Sequence, residues 1–174
     1  MTKATISSLG VCIALASGTA NAALDRTGDF ALLDEQGNFH QLSRYQHRKA
    51  VVLMSYVQNC PNMEAMLSSY RELRSQYAEQ GIEFLLIDSQ NSDRTNLRGL
   101  DLGLPILQDR GQLVTEALGI SHVGDVRVLN PDRISLYYAG AVAPELGSTL
   151  AEILDSPPRN TVKTDNTSSC DIAF

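Results

Sequence analysis

Two apolar runs, AVVLMSYV over 50–57 and IEFLLIDS over 82–89, constrain this chain more than anything else in it. Both are nearly continuous and rich in β-formers, the pattern of strands covered on both faces. Between them Met63, Met66, Leu67, Tyr70, Leu73 and Tyr77 recur at helical spacing from Pro61 onward, and the pattern stops at Gly81. A buried strand, a helix and a second buried strand predict a sheet with helices packed against it.

The rest of the chain extends that order. DFALLDEQGNFHQL carries a turn at Glu35-Gln36-Gly37 between two short runs and predicts a β-hairpin. DRTNLRGLDL and GQLVTEALG read as short helices around the short strand PILQD. DVRVLNPDRISLYYAG reads as two strands joined at Asn130-Pro131-Asp132, and PELGSTLAEILDS as a closing helix with Pro144 near its start. The predicted fold class is α/β, with a central mixed sheet flanked by helices, an N-terminal hairpin and an extended C-terminal tail.

The first residues, MTKATISSLGVCIALASGTANAAL, hold one lysine, a short apolar run and Ala20-Asn21-Ala22. This is the layout of a signal peptide over 1–22, cleaved to begin the mature chain at Ala23. The apolar run is far shorter than the roughly 20 residues that span a bilayer. Val11 before Cys12 argues against a lipid-modified cysteine. The expectation is an exported protein of the periplasm with no membrane span. Its domain occupies 23–156, and a polar, flexible tail over 157–174 carries Cys170. The net charge of −6, one unit more negative once Lys3 leaves, argues against nucleic acid as a partner.

Cys12 leaves with the signal, so Cys60 and Cys170 remain, and an oxidising compartment invites an even pair to bond. Cys60 stands in VQNCPN, after a strand and before Pro61. Proline suits the first helical position, which puts Cys60 at or beside the N-cap. There the helix dipole favours a thiolate and lowers a thiol pKa from about 8.5 toward about 3.5–7.5. The bland alternative is a small buried cysteine with no chemistry.

A buried strand, Asn59-Cys60-Pro61 opening a helix, and a second buried strand ending in Asp88 resemble the thioredoxin fold. Within it the chain is most similar to the redoxins, the alkyl hydroperoxide reductase/thiol-specific antioxidant and TlpA-like exported proteins. GDFALLDEQGNFHQLS, VVLMSYVQNCPN and VRVLNPDRISLYYAG carry the likeness, which covers about residues 28–155, and SSCDIAF resembles the cysteine-bearing ends of some exported redoxins. The resemblance implies a thiol–disulfide oxidoreductase with Cys60 as nucleophile, supported by Asn59 and Pro61, acting on a protein thiol or disulfide in the cell envelope. It implies no cofactor.

The chain departs from that family in several places. Met63 stands where a Cys-x-x-Cys motif would have its second cysteine, on the apolar stripe with Met66 and Leu67. Gly124 falls where a proline would face the active cysteine. Val57 replaces the threonine that peroxidatic redoxins place three residues before their cysteine, and no arginine is expected beside Gly124, so fast peroxide reduction is not expected. Cys170 is the candidate resolving cysteine. From Pro157 it lies thirteen residues on, at most about 43 Å of extended chain against a domain radius of gyration of about 15 Å. Reach permits a Cys60–Cys170 pair; a free thiol, or a pair with another chain, stays open. The second reading is a copper-binding or non-catalytic member of the same fold. Cys60-Pro61 and the His122-to-Pro131 spacing resemble Sco-type copper chaperones, with Cys60, Met63 and His122 as a soft ligand set for copper. The second cysteine of those chaperones would fall at Glu64. His40 and His47 carry no motif, and Asp88 and Asp93 are expected to cap or to be solvated.

Overall fold

The computed structural model describes residues 25–165 and 170–172. The signal peptide expected over 1–22 lies outside the described residues.

In chain order the elements are β1 (Asp25–Arg26), β2 (Ala31–Leu33), β3 (Phe39–Gln41), β4 (Ala50–Tyr56), α1 (Met63–Tyr77), β5 (Ile82–Asp88), α2 (Arg94–Arg98), β6 (Ile106–Gln108), α3 (Leu113–Ala117), β7 (Val126–Asn130), β8 (Ser135–Gly140), α4 (Pro144–Asp155) and β9 (Val162–Lys163). The main sheet runs β1-β8-β7-β4-β5-β6, with β9 also on β8. β4, β5 and β6 are parallel, and β7 turns the sheet antiparallel beside β4. Every residue of β4 is buried. The continuous apolar run predicted this, because only a strand with cover on both faces has no place for a polar alternate.

The helix after β4 is held to the sheet by α1 residues Met63, Leu67 and Tyr70. Tyr70 is fully buried, and its hydroxyl lies 2.9 Å from the carbonyl oxygens of both Val52 and Leu85. Its ring meets Phe84 edge-on at 5.3 Å between centroids. A polar tip reaching backbone oxygens lets so large a ring lie in the core without an unpaired hydroxyl. On α4, Leu146, Leu150 and Ile153 are buried at helical spacing, a second apolar stripe of the same kind.

The N-terminal hairpin forms as predicted, as the separate two-stranded sheet β2–β3. Asp34 organises its turn, accepting from the Gln36 and Asn38 amides at 2.9 and 2.8 Å. His40 Nε2 lies 3.0 Å from Asp34 Oδ2 and His40 Nδ1 lies 2.5 Å from the Tyr45 hydroxyl. Burial pushes the Asp34 carboxyl up, but the hydrogen bonds from His40 and Asn38 outweigh it and hold it below the usual aspartate range. A depressed native pKa means the unfolded chain takes up the proton first, so this stability is present above about pH 4 and is lost as pH falls through the native value. We expect Asp34→Asn to be less stable than the parent at pH 6, with the difference shrinking toward pH 3. Urea titrations across that range measure it, and a difference independent of pH would show that the carboxylate charge is not what the turn uses.

The tail is where expectation and structure part. It was expected to be flexible, yet in its described residues it returns to the domain. β9 joins the edge of β8 in parallel, Thr161 Oγ1 donates to the Leu136 carbonyl at 2.7 Å, and Ile172 is buried. A polar composition did not prevent docking, because backbone pairing and one well-placed isoleucine supply the attachment.

Candidate functional site

β4 delivers the chain to the site. Its last residue, Tyr56, pairs with Asp88 at the end of β5, and buried Val57 follows. Asn59 and Asn62 then both take the left-handed conformation, at φ of 67° and 66°, with Cys60 and Pro61 between them. Asparagine tolerates this region better than most residues. The consequence corrects the expected helix start. α1 begins at Met63 with Asn62 as its N-cap, so Pro61 sits in the preceding turn and not at the first helical position. Cys60 stands two residues before the cap, and since the dipole effect falls off within the first turn, its hold on the thiol is weaker than the sequence suggested.

A second segment, residues 121–125, lies beside the end of β4. The Gly124 amide donates to the Ser55 carbonyl at 3.0 Å and the Ser55 amide to the Asp125 carbonyl at 2.8 Å. Gly124 adopts φ 79°, a conformation that favours glycine, and a Cβ there would displace the Met66 thioether of α1. This is the position where a proline would face the cysteine in thioredoxin-like proteins. Asp125 folds the segment back on itself, Oδ2 accepting from the Ser121 and His122 amides at 2.8 and 3.2 Å.

An arginine does stand near Gly124, contrary to expectation. Arg127 on β7 is buried and donates to the carbonyls of Leu118 (2.8 Å), Val126 (3.0 Å) and Gly119, and its Nη2 lies 3.5 Å from Asp125 Oδ2. Burial pulls its pKa below the usual arginine value, and Asp125 works against that. Its guanidinium is committed to the loop that carries residues 121–125. Sequence reasoning missed it because a charge inside an apolar strand gives no sign of whether it faces backbone or solvent. Ser55 and Ser89, whose buried hydroxyls lie 3.1 Å apart, were missed because they meet across neighbouring segments, which no local spacing encodes.

The tail completes the arrangement. The Val123 amide donates to the Cys170 carbonyl at 3.0 Å and the Ile172 amide to the Ser121 carbonyl at 2.9 Å. His122 and Asp171 face each other between these bonds, with His122 Nε2 3.3 Å from Asp171 Oδ1. One segment therefore touches β4 through Gly124 and the tail through Val123, which brings Cys170 beside Cys60. The two are joined as a disulfide with Cα atoms 6.4 Å apart, within the usual span for such a bond. Cys60 is half-buried, as is Cys170.

The copper set does not fit this arrangement. Cys60 Sγ is bonded to Cys170, and Met63 is buried on the core face of α1. His122 has Ser121 Oγ at 3.0 Å from Nδ1 and Asp171 at Nε2. Among the described residues no group of three or more His, Cys, Asp or Glu side chains stands ready to hold a metal. Asp88 and Asp93 cap, as expected: Asp88 accepts from the Ser92 amide at 2.6 Å and Asp93 from the Thr95 amide at 2.7 Å.

A parallel β4–α1–β5 unit, an antiparallel β7–β8 hairpin beside it and a cysteine between β4 and α1 define a thioredoxin-like fold. The chain belongs to the AhpC/TSA family, whose sequence model matches residues 24–134. It is 27% identical over 143 residues to the thiol-disulfide oxidoreductase ResA of Halalkalibacterium halodurans, an alignment covering 78% of this chain and 81% of the relative. Among solved structures it is similar to an uncharacterized conserved protein of Geobacillus kaustophilus (TM-score 0.76, 19% identity, 90% of this chain and 94% of the other). It is also similar to the exposed lipoprotein thioredoxin of Streptococcus pneumoniae strain TIGR4 (TM-score 0.60, 20% identity, 74% and 98%). At these identities the solved structures speak for the fold alone.

Proposed function

We propose that the protein is an exported, periplasmic thiol–disulfide oxidoreductase of the redoxin type, with Cys60 as attacking thiolate and Cys170 as resolving thiol. The observation that carries this reading is the Cys60–Cys170 disulfide in the turn ahead of α1. The sequence likeness to ResA supports the reaction class, and the signal-like residues 1–22 support export.

The chemistry balances without a cofactor. In the reduced protein the Cys60 thiolate attacks one sulfur of a client protein's disulfide, forming a mixed disulfide and expelling the client's other sulfur as a thiolate. The Cys170 thiolate then attacks Cys60 Sγ, the mixed disulfide breaks, and the second client sulfur leaves. The client has gained two electrons, and the protein is left with the intramolecular disulfide described above. A dithiol donor protein reverses these steps to restore the reduced form. Segment 121–123 holds Cys170 through the backbone, so the resolving thiol is presented without depending on other side chains.

Cys60→Ser is expected to abolish disulfide reduction, and Cys170→Ser to accumulate a mixed disulfide with substrate that persists on a non-reducing gel. Turnover of Cys170→Ser at the parent rate would remove Cys170 from the mechanism. Hydrogen peroxide consumption with excess thiol donor is expected to be slow, since Val57 offers no hydroxyl and Arg127 is occupied by backbone carbonyls. Rapid peroxide turnover would instead make the protein a peroxidase.

A further inference from the structure

A cavity of about 720 Å³ opens at the end of the sheet where β4 begins and the β7–β8 turn closes. Arg26, Arg48, Lys49, Arg133 and Arg159 line it, against a single acid, Asp132. The whole chain has 14 Lys and Arg and a net charge of −6, so five cations around one cavity run against its overall balance. Among the described residues neither Arg26 nor Arg133 has a carboxylate partner within ion-pair distance. Arg48 Nη2 is 3.0 Å from Glu83, but its Nε is buried with no hydrogen-bond partner, and so is the hydroxyl of Ser135. Ser135 is only 3% exposed and lines the same cavity. Buried polar atoms without partners are rare and costly, and two on residues that line one cationic cavity favour a ligand that accepts hydrogen bonds once these side chains turn toward it.

We propose that this cavity binds a small polyanion, a molecule with at least two carboxylate or phosphate groups. The volume lies in the range of small-molecule sites. Guanidinium groups grip planar or tetrahedral oxyanions by paired N–H donors, and the Ser135 hydroxyl supplies a neutral donor from the wall. Tyr137, Pro157 and Pro158 give the ligand's carbon frame an apolar surface. The site is separate from the thiol chemistry: the seven residues of β4 lie between it and the Cys60 turn, about 23 Å of strand. The ligand is therefore held, not turned over. Pro157–Arg159 begin the tail that leads to β9 and Cys170, so a bound anion ties the stem of the tail to β1 and β8.

Isothermal titration of the oxidised protein with pyrophosphate and, separately, with citrate at low ionic strength tests this. Saturable one-site binding of at least one of them is expected, weakened about tenfold or more in Ser135→Ala and in the double variant Arg26→Ala/Arg133→Ala. Preference for pyrophosphate identifies a phosphate ligand and preference for citrate a carboxylate one. The altered arginines are exposed, and an unchanged melting temperature without ligand shows that the fold is kept. Absence of binding by both probes at millimolar concentration, or equal binding by the double variant, overturns the proposal.

Discussion

Reducing the Cys60–Cys170 bond is expected to lower the melting temperature by on the order of 10 °C. The two cysteines are 110 residues apart in sequence, and closing a loop of about that length removes roughly 4–5 kcal/mol of chain entropy from the unfolded state in the loop-closure account, with 2–4 kcal/mol the common measured range. For a chain of this size each kcal/mol moves the midpoint by about 2–4 °C. Among the described residues the reduced protein still holds the tail through two backbone hydrogen bonds to 121–123, the solvent-facing His122–Asp171 pair, β9, the Thr161 and Thr164 bonds to β8 and Ile172. Melts of oxidised protein, of dithiothreitol-treated protein and of Cys170→Ser should separate the first from the other two. Midpoints that agree within about 2 °C would mean the bond constrains nothing that the fold does not already hold.

The second large effect belongs to Arg127. Replacing it with methionine keeps much of the side-chain volume but leaves Asp125, only 4% exposed, without its countercharge and the carbonyls of Leu118 and Gly119 without their donor. Removing one member of a buried ion pair costs about 3–5 kcal/mol. The loss falls on the loop that positions residues 121–125, so Arg127→Met should also slow closure of the Cys60–Cys170 bond in reduced protein exposed to oxidised glutathione. Urea denaturation gives the stability and gel-resolved thiol trapping gives the rate. Pairing Arg127→Met with Asp125→Asn should recover part of the stability, because the stranded charge is then gone. A single-variant cost below about 1 kcal/mol would show that the pair is solvated in solution.

The sequence announced some of these elements clearly and others not at all. β4 and β5 were legible because burial on both faces leaves continuous apolar runs, and the helix between them because six apolar residues share one face. The start of α1 was misplaced because proline's preference for the first helical turn is general, whereas the left-handed Asn62 that sets the actual start is a local choice. β1 and β9, at two residues each, are too short to show any periodicity. For Cys60 and Cys170, chain reach showed only that a bond was permitted. Its placement depends on Val123 and Ser121 pairing with the tail, a contact between distant segments that no spacing encodes. Arg127 was unreadable because three of its hydrogen bonds go to backbone carbonyls, which every sequence has, and nothing in Asp125-Val126-Arg127 says that the pair is buried.

The disulfide also has a mechanical consequence. It makes residues 60–170 a covalent ring, with β1 to β4 as a linear arm outside it, yet β4 lies in the sheet between β7 and β5, both ring members. Under tension at its two ends the oxidised chain can therefore pay out only the arm and the last few residues. At about 3.6 Å per residue that is on the order of 130 Å from Asp25 to Ile172, and the ring length is released only on reduction. A single cut in any loop of the ring likewise leaves one molecule of unchanged mass on a non-reducing gel, and two pieces once a reductant is added.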